Sequence, residues 1–131
     1  MAAVSIALRQ AGRTDEAVVA HSRARDLYQE LSNRDHEATV WNDLGIALQQ
    51  AGRVDEARSA FVTVRDLREE SGDWYQAGVA LHNLALVHRS RAELGAARAC
   101  WARAAEAFCQ ADAPAEAAEA AEARGWARGG E

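Results

Sequence analysis

Residues 7–17 read ALRQAGRTDEA and residues 47–57 read ALQQAGRVDEA. Nine of the eleven positions are identical. A fainter third copy, VHRSRAELGAA, occupies residues 87–97, at the same offset again. Self-similarity at a fixed period of this size is the mark of a repeat array, in which a unit buries its apolar face only against its neighbours. A chain of 131 residues has room for three such units and part of a fourth, so a single array over 1–131 is expected.

Composition names the element the units are made of. Alanine, arginine, glutamate, leucine and glutamine all favour helix, and proline occurs once. Apolar residues make up 49% of the chain, much of it alanine. A core built on alanine gains little area per side chain and depends on close helix approach. The expected fold is all-α: antiparallel helix pairs stacked into a right-handed α-solenoid of about seven helices.

The helices can be placed one by one. Residues 2–10 form the first, ended by Gly12 and the Thr14-Asp15-Glu16 turn. The second, about 14–31, carries Ala17, His21, Ala24, Leu27, Tyr28 and Leu31 as one apolar stripe. Ser32-Asn33-Arg34-Asp35 is a loop, and the third helix, about 36–50, turns Val40, Trp41, Leu44, Ala47 and Leu48 inward before Gly52. The fourth, about 54–70, repeats the stripe with Ala57, Phe61, Val64 and Leu67. Ser71-Gly72 stops it, and Asp73 with Gln76 resembles a capping box. The fifth, about 74–90, presents Ala77, Leu81, Leu84, Ala85 and His88; the sixth, about 94–110, presents Ala97, Trp101, Ala104 and Phe108. Pro114 opens a seventh to about residue 124, polar enough to cap an array end, with 125–131 as a frayed tail. The units fall at about 1–33, 34–73 and 74–113. Met1 stands where Trp41 stands in the second unit, so the expected start of the first helix is absent, as in a cut array.

Charge narrows the partners. The net charge is −5, and all fifteen basic residues are arginine. An acidic chain without a basic run has no electrostatic reason to bind nucleic acid or an anionic membrane. No run of 18 apolar residues exists to span a bilayer, and the opening lacks a basic n-region, so a cytoplasmic location is expected. Cys100 and Cys109 fall on one helix nine residues apart, roughly 13 Å by helical rise. That is too far for a disulfide, and both are expected as small buried or half-buried thiols. His21, His36, His82 and His88 lack the four-residue spacing that aligns two metal ligands on a helix. No cysteine has an evident histidine partner for nucleophilic catalysis. Acid pairs such as Asp55/Glu56 sit at helix starts, where the dipole accounts for them. Neither an enzyme, nor a metal site, nor a cofactor is expected.

Trp41, Leu44, Gly45, Leu48, Ala57 and Phe61 at these spacings resemble the tetratricopeptide repeat. That pattern has Trp, Leu, Gly and Leu on a first helix, then Ala and Phe on a second. The third unit matches at Leu84, Ala85, Ala97 and Trp101. The first matches at Leu8 and Ala17 but carries Ser5 and His21 in the glycine and aromatic places. The 40-residue period, against 34 in the common form, is similar to the repeats of kinesin light chains and to C-terminal arrays of bacterial multidomain regulators, where an NTPase or DNA-binding domain comes first.

The resemblance implies a concave groove lined by first helices, with a protein or peptide as partner. Counted from Trp41, its lining is Asn42, Ile46 and Gln49, then His82, Leu86 and Arg89, then Glu119 and Glu122. The clamp that some repeat proteins build from lysine and asparagine around a C-terminal carboxylate is not expected without lysine. The same residues read equally as solvated helix faces of a free-standing scaffold that self-associates through its array ends, around Val4, Leu8 and residues 119–126. A small-peptide receptor is a third reading. Trp41 and Trp101 are expected in the core, Trp74 at an inter-repeat corner, and Trp126 either folded back or in contact with a partner.

Overall fold

The computed structural model describes the backbone of residues 2–129 and the side chains of residues 12–125. Every element is a helix: α1 (Ala2–Glu30), α2 (Arg34–Gln50), α3 (Val54–Glu70), α4 (Trp74–Ser90), α5 (Leu94–Gln110) and α6 (Pro114–Gly129). Consecutive helices pack as pairs, α1 on α2, α4 on α5 and α5 on α6, the construction of an α-solenoid. The chain divides into two compact units, residues 1–60 and 61–131.

A regular beat of half the period underlies the repeat. From α2 onward the helices begin at residues 34, 54, 74, 94 and 114. The turn before each contains one residue in the left-handed region, Ser32, Gly52, Gly72, Ala92 and Asp112, in the same step. Each turn closes the same way. At the second, Gly52 N–H donates to the Gln49 carbonyl at 3.1 Å and Arg53 N–H to the Leu48 carbonyl at 2.8 Å. This is the Schellman pattern, which satisfies the last carbonyls of a helix while reversing the chain. Gly52 (φ 78°) and Gly72 (φ 75°) adopt the conformation without a Cβ penalty, whereas Ser32, Ala92 and Asp112 carry one. Asn33 and Asp73 then cap the next helices, each accepting from the backbone N–H three residues on, His36 at 3.3 Å and Gln76 at 3.2 Å.

The first helix departs from expectation. Gly12 lies on the same beat, one step before Ser32, yet α1 runs through it as one helix of 29 residues. The helix count among the described residues is six rather than seven. A glycine permits a left-handed turn but does not impose one, and inside a helix it costs only about 1 kcal/mol relative to alanine. Reversing the chain is favoured when the returning helix gains an apolar partner, and residues 2–10 carry only Val4, Ile6 and Leu8 as large apolar side chains. Those side chains lie outside the described set. At the other end α6 continues past 124 to Gly129, so the expected tail is helical over 125–129; the Trp126 side chain lies outside the described residues.

In the first unit α1 meets α2 through a core of Val18, Ala38, Val40, Leu44 and Leu48. The expected stripe on α1 is only partly turned inward: Ala17, His21, Ala24 and Tyr28 are half-buried and Val18 is buried, while Leu27, and Leu31 in the turn beyond, are 53% and 63% exposed. A run with apolar residues on several sides leaves its facing direction open, and packing on α2 selects Val18. In the second unit small residues set the distance. Ala77, Ala80, Ala85, Ala97 and Ala104 are fully buried, and Trp101 and Phe108 fill the space beside them. Gly78 makes the closest approach: a Cβ there would lie 2.8 Å from the Phe108 ring. Trp74 is half-buried against the Leu81–Ala104–Phe108 cluster, which places it as part of the core edge. Both cysteines are free; Cys100 is half-buried, its thiol pKa raised by burial, but Cys109 is exposed rather than buried.

Candidate protein-interaction surface

On α2, Asn42 and Gln49 are half-buried and Ile46 is 40% exposed. A helix that buries Leu44, Ala47 and Leu48 must turn the intervening positions outward, so these three lie on its outer face. None of the three lines the first unit's cleft of about 350 Å³, which lies over Val18, Trp41, Leu44 and Leu48. Trp41, expected in the core, is half-buried and forms part of this wall. Its indole N–H donates to Glu37 Oε2 at 3.1 Å, and the Arg25 guanidinium covers its ring 5.0 Å from the centroid. Other polar groups of the cleft are satisfied internally. Arg53 holds Glu56 at 2.7 Å and keeps its carboxyl below the usual range, and Ser22 Oγ donates to the Val18 carbonyl at 2.8 Å.

The second unit gathers more of the expected residues. Trp101 is 1% exposed, and its indole N–H donates to His82 Nδ1 at 3.1 Å. An indole nitrogen only donates, so His82 Nδ1 must be the acceptor and its proton resides on Nε2. Burial of part of the ring, and then Arg89, lower the His82 pKa against an opposing pull from Glu119. Arg89 lies 5.9 Å from the centroid of the Trp101 ring, and Leu86 packs against the Ala85–Ala97–Trp101 cluster. Three residues named from sequence, His82, Leu86 and Arg89, are therefore organised around one buried tryptophan.

His82 also faces α6. With Glu119 it lines a cleft of about 190 Å³ floored by Phe108 and completed by Tyr75, Val79, Glu116 and Ala120. Tyr75 is 42% exposed and meets Phe108 edge-on, centroids 5.5 Å apart at 66°. Glu122 is exposed on the same helix but lies outside this lining. Tyr75, Val79 and Glu116 were not among the expected lining residues. Counting back from His82 by three and seven positions reaches Val79 and Tyr75 on the same helical face, a signal available in the sequence. The depth of the Phe108 floor was not available, because it depends on the absence of a side chain at Gly78.

Among the described residues no group of three or more His, Cys, Asp and Glu could hold a metal ion. No helix among them is long and apolar enough to cross a membrane.

Helix pairs joined by identical tight turns, with small residues where they cross, define a helical-repeat protein. The tetratricopeptide repeat family model matches residues 2–70 and again 37–110. The chain belongs to the tetratricopeptide repeat family, whose repeats build protein–protein interaction modules and are generally non-catalytic. No curated protein matches it.

Proposed function

We propose that this chain is a non-catalytic partner-binding module that receives a protein or peptide on the groove-facing sides of its first helices: Asn42, Ile46 and Gln49 in one unit, His82, Leu86, Arg89, Glu119 and Glu122 in the other. The observation that carries the reading is the cleft shared by His82 and Glu119, since an open, mixed apolar and polar recess is what an inserted side chain requires. The broader setting we infer is the sensory array of a larger bacterial regulator, on the strength of the repeat length. Replacing Asn42, Gln49 and Arg89 together by alanine is expected to abolish partner capture with helicity by circular dichroism unchanged. Capture that persists in the triple variant sinks the groove assignment.

A specific observation favours a second reading, self-association. Val19, Leu27 and Leu31, on α1 and in the turn that follows it, are each at least half exposed, apolar surface of the kind that mates with another chain. Light scattering across a hundredfold range of concentration separates the two. A dimer weakened by Leu27→Glu and Leu31→Glu supports self-association, and a monomer throughout removes it.

A further inference from the structure

We propose that the cleft between α4 and α6 takes up a cationic side chain, that of an arginine or lysine in the partner polypeptide. The inference deepens the interaction-module reading and rests on it.

Charge is the first ground. Glu116 and Glu119 stand three residues apart on α6, hence on one face, and both line the cleft. Neither forms an ion pair with another described residue. No arginine lines this cleft, in contrast to the first unit, where Arg53 already occupies Glu56. Glu116 lies in the first turn of α6, where the helix dipole accounts for an acid. Glu119 lies beyond that turn, exposed, and the dipole does not account for it.

Shape and surface chemistry are the second. The aliphatic stem of a long basic side chain can lie along apolar surface with its charged head in water or on a carboxylate. Val79 and Ala120 supply such surface, and Tyr75 and Phe108 supply aromatic rings that attract a cation. The third ground is the opposite wall. The bond from Trp101 holds His82 with Nδ1 unprotonated, so α4 presents a neutral ring to the acids of α6 rather than a competing cation.

The probe is N-acetyl-arginine methylamide, titrated into the full chain with amide shifts followed by NMR, against its citrulline isostere. Citrulline keeps shape and hydrogen bonding but removes the charge. The arginine probe is expected to move resonances of residues 75–82 and 116–120 saturably, and the citrulline probe to bind about tenfold more weakly, the worth of one charge-assisted hydrogen bond. Glu116→Gln with Glu119→Gln, its fold checked by circular dichroism, is expected to lower arginine affinity by a similar factor. Tyr75→Ala should weaken both probes. Equal binding of the two probes, or no saturable shift with arginine, overturns the proposal. Because this experiment needs no natural partner, its failure is distinct from failure of the capture experiment.

Discussion

Trp101 donates its indole N–H to His82 Nδ1 at 3.1 Å, and the bond makes the imidazole tautomer a property of the core. Protonating Nδ1 removes the acceptor on which this contact depends. The His82 pKa is lowered, by burial first and Arg89 second, with Glu119 opposing. A lowered folded-state pKa means that the unfolded chain binds more protons just below the ordinary histidine pKa of about 6.5. The stability tied to His82 is therefore full above that pH and is lost as pH falls from it through the folded-state value. Urea midpoints should drop between pH 7.5 and pH 5, and His82→Gln, which keeps an acceptor for the indole, should shrink the drop. An equal drop in wild type and variant would show that groups other than His82 govern the response.

Gly78 and Phe108 are in closer contact than any side chain at 78 permits, since an added Cβ would stand 2.8 Å from the ring. Phe108 is 5% exposed, so an added Cβ must push its ring out of the core toward the cleft that it floors. Gly78→Ala is expected to destabilise the fold by about 1–3 kcal/mol, the usual cost of overpacking. Thermal unfolding measures it; an unchanged Tm would mean that α4 and α5 separate freely at this point.

The three non-glycine left-handed residues offer the opposite experiment. Ala92 (φ 59°) bears a Cβ where Gly52 and Gly72 bear none. Ala92→Gly should raise stability by about 0.5–1 kcal/mol, and Gly72→Ala should lower it by a similar amount. The two changes together should nearly cancel in denaturant midpoint, because they act on separate turns.

Gly12 discriminates between two conformations of one sequence. In the continuous α1 it is exposed, and a Cβ would meet nothing within 4 Å. Gly12→Ala should then stabilise the chain by about 0.5–1 kcal/mol through helix propensity. If residues 10–13 instead form in solution the turn that residues 50–53 form, the same substitution destabilises. The sign of the change in Tm decides.

This pair of stretches also shows how far the sequence could be read. Nine shared positions out of eleven give a turn at Gly52 and helix at Gly12, because the local code states only what the backbone tolerates. What decides between them is the surface the returning segment gains. The helices at 34–50, 54–70, 74–90 and 94–110 were legible almost to the residue, since caps, left-handed turns and apolar spacing agree there. Trp101 was placed in the core correctly, as an aromatic facing a run of small residues. Trp41 was not, because Arg25 and Glu37 give its ring and N–H partners at the surface. His82 and Glu119, which counting helical faces puts on one side, both line the same cleft. Their neighbourhood, Tyr75 edge-on to Phe108 beside Gly78, rests on a distance between helices that spacing along one helix does not encode.

The beat of left-handed residues at 32, 52, 72, 92 and 112 bears on how such a chain can change length. One step of the beat is a single helix with its reversal. Its loss by recombination would leave every later turn in step but exchange the first helix of each pair for the second. Only a block of two helices and two reversals keeps positions 40 apart in register, as Ala57 with Ala97 and Phe61 with Trp101. Shorter insertions would be absorbed at the reversals alone, because one extra residue inside a helix rotates all that follows by about 100°. Growth by whole pairs is thus the inheritance route that the spacing of the turns leaves open.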